Sequence, residues 1–141
     1  MIRADVSQQW ATVRSNLAAE SSPLLPFFDA AAEEPQIASL FPFRAMQQLC
    51  FSRCARFRFF VDYFAVHSNG AFGIHRTPGR GGWIEGREVA RGDAATAARR
   101  LAELLPAAYG PAYDCTADEL RAAFHTGDGI VQSLSTLERE F

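Results

Sequence analysis

Two histidines in the middle of the chain have the clearest potential for chemistry. His67 and His75 flank the dipeptide Asn69-Gly70, which predicts a two-residue β-hairpin turn because both of its positions adopt positive φ angles. The turn pairs His67 with Phe72 across the hairpin. It also pairs Phe64 with His75, so the two histidines lie on opposite faces of the sheet. They cannot share a metal ion in this register, and no metal site is predicted.

An aspartate completes the best candidate for acid–base chemistry. Asp62 shares a sheet face with Phe64 and is a diagonal neighbour of His75 in the same register. A carboxylate beside an imidazole can act as a general acid and base. No nucleophile-elbow motif accompanies the pair, and no serine or cysteine can be placed beside it from the sequence. A buried polar pair is the simpler interpretation, and a catalytic Asp62–His75 pair is the alternative.

The three cysteines predict structural thiols. Cys50 and Cys54 are four residues apart, so on a strand their side chains point the same way but lie roughly 13 Å apart. That distance is too long for a disulfide bond or one shared metal ion, although a helical segment would bring the thiols within reach. Cys115 makes the number odd, which fits reduced thiols better than a disulfide framework.

Two arginines are candidates for binding an anion. Arg53 lies in residues 51–59, where arginine and phenylalanine cluster, a mixture that can bind single-stranded nucleic acid. The net charge of −2 and the pI of about 5.9 provide no basic field, so a nucleic-acid partner is not expected. Arg80 lies in the glycine-rich segment 78–82, which leads into a strand rather than a helix. This segment therefore predicts a hairpin loop, with a lid or a partner contact as alternatives, and not a phosphate loop.

The composition restricts both the chemistry and the fold. All 14 basic residues are arginine, which excludes a lysine Schiff base, a lysine general base and the lysine of a phosphate loop. No cofactor is predicted. The 141 residues are 48% hydrophobic and 21% charged, which predicts one globular domain over 1–141. Without a signal-peptide pattern or an apolar run of membrane-spanning length, we expect a cytoplasmic protein with no membrane partner.

Helices are predicted on both sides of a central region. Apolar residues four, three and four positions apart predict a first helix, with its buried side on Val6, Trp10, Val13 and Leu17. Other patterns of spacing and capping predict further helical segments. These segments are 25–34, 36–40, 94–105 with Asp93 as its cap, one that opens at the capping box 116–119, and 130–141.

The central region predicts a sheet. Four strands are expected near 46–54, 59–68, 71–76 and 83–90, with Phe41-Pro42-Phe43 as an aromatic turn that leads into them. Short connections between consecutive strands favour an antiparallel meander. The predicted fold class is therefore α+β, a four-stranded, mainly antiparallel sheet covered by N- and C-terminal helices.

Five short motifs form a recognisable set. They are Leu40-Phe41-Pro42-Phe43, the string LCFSRC at 49–54, Glu103-Leu104-Leu105-Pro106, Gly110-Pro111-Ala112 and TADEL at 116–120. With the N-terminal helix that bears Trp10, they resemble an uncharacterised actinobacterial family labelled as natural-product biosynthesis proteins. The resemblance covers about residues 35–120, and the chain departs from it at 55–58, where a turn with glycine and proline is expected. It implies a link to specialised metabolism but no reaction, so it assigns no catalytic residue.

Three functions remain open. The leading hypothesis is a non-catalytic binding or accessory protein of specialised metabolism, which holds a small molecule at a sheet face or cleft lined by aromatic residues such as Phe51, Phe59, Tyr63 and Phe72. The second is a small enzyme with Asp62 and His75 as its acid–base pair and Arg53 as an anion-binding group. The third is a protein-interaction module, including a homodimer formed through an edge strand or through residues 130–141.

Overall fold

The computed structural model describes residues 4–45, 47–52, 60–76, 87–105 and 118, with the backbone alone at 45 and 60–62. Within these residues, three helices precede five strands, and one helix follows them. The helices are α1 (Ala4–Ala19), α2 (Leu25–Ala32), α3 (Pro35–Ala38) and α4 (Ala94–Leu104). The strands are β1 (Phe41–Ala45), β2 (Gln48–Ser52), β3 (Phe60–Ser68), β4 (Ala71–Arg76) and β5 (Arg87–Gly92).

The strands form one antiparallel meander in the order β1-β2-β3-β4-β5. This arrangement confirms the α+β class, with five strands rather than the four predicted. The additional strand is β1, where Phe41-Pro42-Phe43 was expected to be a turn. Pro42 is compatible with β1 because this strand is at the edge of the described sheet, where a missing backbone N–H leaves no neighbour unpaired.

The hairpin between β3 and β4 has the predicted register. Asn69 and Gly70 adopt φ angles of 52° and 75°, as a two-residue turn of this type requires. Ser68 then pairs with Ala71, and the ladder continues through His67–Phe72 to Phe64–His75. The two histidines therefore lie on opposite faces of the sheet, as the sequence predicted.

One face of the sheet is covered by helices and is called here the covered face. Its strand residues are Leu49, Phe51, Ala65, Phe72 and Ile74, all buried in the main hydrophobic core. Val6, Trp10, Val13 and Leu17 of α1 are buried there too, which confirms the predicted stripe. Trp10 also donates a hydrogen bond from its indole Nε1 to the carbonyl oxygen of Leu40 at 2.9 Å, so its polar atom is satisfied inside the core.

The other side of the sheet is called here the opposite face. Cys50 and Phe64 pair across β2 and β3 and form a smaller buried cluster, to which Phe43 and Val66 contribute partly buried side chains. Because strand side chains alternate between faces, this cluster and the main core occupy alternate positions of the same strands.

Capping groups define the ends of two helices. Asp93 accepts a hydrogen bond from the backbone N–H of Thr96 at 2.8 Å, which confirms it as the N-cap of α4 and lowers the pKa of its carboxyl group. At the end of α1, Ser21 has a φ of 51°. The N–H groups of Ser21 and Ser22 bond to the carbonyls of Ala18 and Leu17, which is the Schellman arrangement.

Several predictions lie outside the described residues. These are the chain between 53 and 59, the segment 78–86 and the helices expected at 116–120, apart from residue 118, and at 130–141. The strands predicted near 46–54 and 83–90 correspond to β2 and β5, whose described residues are 48–52 and 87–92. No helix in the described part of the chain is long and apolar enough to span a bilayer.

Candidate functional site

Of the aromatic residues predicted to line a ligand site, Phe51, Tyr63 and Phe72 lie in or beside the main core. Phe51 is fully buried, and its ring centroid is 6.0 Å from that of Trp10. Phe72 is 7% exposed and stacks on Phe27 of α2 at 5.9 Å. Tyr63 is partly buried and packs against the margin of the core. Phe51 and Phe72 therefore join the sheet to its helices, and of these residues Tyr63 retains the most exposed surface.

The other predicted site residues are described in part. Arg53, Phe59 and Arg80 lie outside the described residues, and Asp62 is described only as a backbone position in β3. The anion-binding roles of Arg53 and Arg80 and the Asp62–His75 pair therefore stay predictions. Cys54 and Cys115 also lie outside this part of the chain.

His75 lies on the opposite face beside an acid that the sequence did not single out. Its ring stacks on Phe64 at 5.3 Å, and its Nε2 is 3.9 Å from Oε1 of Glu88. A β-bulge between Ile74 and His75 places Glu88 opposite the histidine, where a regular ladder would place Val89. Bulges commonly change which side chain faces a neighbour in this way.

The carboxylate of Glu88 is held by several neighbours. Its Oε1 accepts a hydrogen bond from Nη1 of Arg91 at 2.9 Å, and the same Nη1 donates to the hydroxyl of Ser68 at 3.1 Å. A Cβ at Gly73 would collide with the Glu88 carboxylate, so the glycine makes room for it. The distance of 3.9 Å to His75 exceeds a hydrogen bond. Glu88, Arg91, Ser68 and His75 are called here the Glu88 cluster, a polar array in which Glu88, Arg91 and Ser68 contact one another.

The thiol of Cys50 is buried beneath the same face. It is free and 2% exposed, and burial raises its pKa from the ordinary 9.0 to about 12 because the thiolate loses its hydration. At neutral pH this cysteine is therefore a protonated, poorly nucleophilic side chain. No three His, Cys, Asp or Glu side chains in the described residues are grouped as metal ligands.

A cleft of about 210 Å³ opens at one end of the covered face. Three segments form it: the end of α1 with the turn into α2, the hairpin between β1 and β2, and the last residues of β3. The residues that line it are Glu20, Ser22, Pro23, Leu24, Arg44, Gln47 and His67.

The cleft combines an ion pair with an unpaired imidazole. Arg44 forms an ion pair with Glu20, and their side chains are 31% and 54% exposed. His67 packs its ring on Phe72 at 5.1 Å. Within the described part of the chain, neither of its ring nitrogens makes a hydrogen bond or ion pair. The imidazole therefore has hydrogen-bonding capacity available to a ligand.

The turn between α1 and α2 shapes one wall of the cleft. The left-handed residue Ser21 reverses the chain at the end of α1, so that Glu20 and Ser22 both reach the opening. The hydroxyl of Ser22 accepts a hydrogen bond from the N–H of Leu24 at 3.2 Å. Leu24, which is 3% exposed, supplies an apolar surface, and α2 begins directly after it without a side-chain cap.

This cleft was not predictable from the sequence. Glu20, Ser22 and Arg44 were not singled out, and His67 was considered only as a metal ligand with His75. The three segments are separated by about 20 residues each along the chain, and no motif links them. Only the pairing of β1 with β2, which requires recognising β1 as a strand, could have indicated that Arg44 approaches the end of β3.

Comparison with known proteins identifies a family. Residues 4–116 match the model described as "Family of unknown function (DUF6193)". No curated protein and no solved structure matches the chain.

Proposed function

We propose that this chain, which belongs to the family of unknown function DUF6193, is a non-catalytic binding or accessory protein that holds a small molecule in its cleft. The observation that supports this function is the cleft itself, where a guanidinium, an imidazole and a hydroxyl group meet beside an apolar wall. Small-molecule sites generally combine a concave apolar surface with a few converging polar groups. Phe72 of the main core packs against the ring of His67, which helps to hold this imidazole at the cleft.

The size of the cleft restricts its occupant. Its volume of about 210 Å³ is below the ~300–1,000 Å³ of pockets that enclose drug-sized ligands. The cleft therefore suits a small metabolite, or one end of a larger one. Its polar groups come from three segments that the fold holds together, so binding requires no rearrangement of the sheet.

The cellular role that we propose is in actinobacterial specialised metabolism, in the cytoplasm. Support comes from the five motifs that resemble proteins labelled with natural-product biosynthesis. The free, buried thiol of Cys50 suits a reducing compartment. An accessory protein of this kind would carry or sequester an intermediate and would not transform it.

The intact mass under native conditions tests this function, on protein purified from an extract of its own host. We expect a monomer with added mass that matches a small molecule, and this added mass should be lost in the variants Arg44→Gln and His67→Ala. His75→Ala is the matched control, because it removes a partly buried imidazole from the opposite face. Added mass retained in both cleft variants would contradict the cleft as the site, and a doubled mass would favour the interaction module.

A second candidate is the small enzyme based on His75. The observation that favours it is the position of the Glu88 carboxylate, 3.9 Å from Nε2 of His75. The test is mass spectrometry of host metabolites incubated with the protein. Consumption of a metabolite that is abolished by His75→Ala and retained by His67→Ala would favour this enzyme over the binding protein.

A further inference from the structure

We propose that the ligand of the cleft carries a carboxylate group. In the ligand-free protein the carboxylate of Glu20 pairs with Arg44, in the place that the ligand's carboxylate would take. This inference rests on the binding function proposed above and specifies its ligand class. Of the described residues that line the cleft, Arg44 is the one permanent cation and Glu20 the one acid. The two form an ion pair with each other.

The position of Glu20 is unfavourable for the helix that carries it. Glu20 directly follows Ala19, the last residue of α1, and the C-terminal end of a helix has a partial negative charge that destabilises a nearby carboxylate. The local sequence therefore does not explain an acid at this point. Its contact with Arg44, across the cleft, is the favourable interaction that the structure shows for this side chain.

The pair is weak enough to be exchanged. Glu20 is 54% exposed and Arg44 is 31% exposed, and ion pairs of this exposure change an equilibrium constant by at most about fivefold. A ligand carboxylate can bind the guanidinium of Arg44 by accepting hydrogen bonds from two parallel N–H donors. Glu20 can then turn into solvent without leaving a buried charge behind.

The rest of the cleft suits the remainder of such a ligand. His67 offers a ring nitrogen that makes no hydrogen bond within the described residues, and it can bind the carboxylate or a neighbouring polar group. Leu24 and Pro23 provide surface for a short apolar body.

The test uses three probes of similar shape and different charge. Benzoate, the neutral benzamide and the cationic benzylamine are titrated separately into the ¹⁵N-labelled full chain, and affinities are read from backbone amide shifts at the cleft. We expect benzoate to bind most tightly. Glu20→Gln should raise its affinity about two- to fivefold by removing the competitor, and Arg44→Gln should lower it at least tenfold. Asp29→Asn is the matched control, because Asp29 is a similarly exposed acid paired with Arg14 away from the cleft, and it should change nothing.

The outcomes separate this inference from the function on which it rests. Benzylamine binding that exceeds benzoate binding, or a loss of benzoate affinity in Glu20→Gln, would overturn the carboxylate inference while the cleft remained a binding site. If none of the probes shifts the amides of the cleft, both the inference and the proposed site are contradicted. Because Glu20 is an exposed residue, its variant should fold normally, and equal thermal midpoints would confirm this.

Discussion

The two faces of the sheet are built from alternate residues of the same strands, yet they differ in what they contact. On the covered face, Phe51 and Phe72 meet rings from α1 and α2, and the strand residues belong to one continuous apolar core. On the opposite face, a small buried cluster of Cys50 and Phe64 adjoins the polar Glu88 cluster. The covered face buries mainly apolar side chains, while the opposite face places a small apolar cluster beside charged side chains.

This difference separates polar groups that the fold uses from those that it leaves available. Glu88 is held by Arg91, which also bonds to Ser68, so much of this array is satisfied internally. His67 lies at the end of the covered face and makes no such bond within the described residues. The position of His75 beside a carboxylate therefore does not, by itself, make it a better candidate for function than His67. Four predictions test the contrast between the faces.

The largest expected effect on stability follows the removal of an aromatic ring from each face. Phe51→Ala should lower the free energy of unfolding by about 3–5 kcal/mol, since a fully buried ring leaves a cavity that helices and strands cannot close. Phe64→Ala should lower it less, by about 3 kcal/mol at the lower end of that range, because its cluster is small and Phe43 and Val66 beside it are only partly buried. Urea denaturation of both variants measures the difference. Equal losses would show that the opposite face is a second core of the same weight.

The next effect concerns the buried thiol of the opposite face. The pKa of Cys50 is raised to about 12, so the folded state keeps a proton that the unfolded state loses above about pH 9. The stability contributed by this group is therefore complete below pH 9 and declines as the pH rises toward 12, by on the order of a few kcal/mol. Unfolding of the wild type and Cys50→Ala as a function of pH isolates this contribution. Parallel curves for the two proteins would contradict it.

A smaller effect is expected where α1 bonds to the chain that enters the sheet. Trp10→Phe retains a ring in the core but leaves the buried carbonyl of Leu40 without its donor, so we expect a loss of about 1–3 kcal/mol. Gln9→Ala is the control, because Gln9 donates to the carbonyl of Pro42 at 3.0 Å from a less buried position. Its loss should be below about 1 kcal/mol. Thermal and urea unfolding of both variants measures the two losses. A larger loss in Gln9→Ala than in Trp10→Phe would contradict the ranking by burial.

The smallest effect should come from Gly73→Ala on the opposite face. The new methyl group would displace the Glu88 carboxylate, which is the flexible end of a side chain, so a loss of less than about 1 kcal/mol is expected. Adding Glu88→Ala should remove most of this loss, which a double-mutant cycle would detect. If the free energy of unfolding falls by well over that amount, and the loss persists in the double variant, the backbone itself has moved.

The parts of the fold that were predictable depend on local chemistry. Asn69-Gly70 determined the turn and the register of the hairpin, because few residues adopt two successive positive φ angles. Asp93 was recognisable as a cap, and α1 was recognisable from its spacing of apolar residues. Each of these signals is contained within a few neighbouring residues, so tertiary packing had little opportunity to override it.

The parts that were not predictable depend on where segments meet. β1 was missed because Pro42 argues against a strand unless that strand is known to be at an edge. Glu88 reached His75 only through a bulge, which alternation along the sequence does not indicate. The cleft requires the turn after α1, the β1–β2 hairpin and the end of β3 to converge. None of its residues carries a motif, so Arg44 and Glu20 could not have been paired in advance.

Pro42 has a consequence for self-assembly. It has no N–H to donate, and its carbonyl oxygen already accepts a hydrogen bond from Gln9. An incoming chain would therefore find neither a donor nor an acceptor at Pro42, which disfavours growth of the described sheet along β1 into a fibre or a shared intermolecular sheet. Within the described residues the other edge of the sheet is β5, so two copies that join their sheets should meet along β5, where Arg87 and Arg91 would have to be matched by acidic partners.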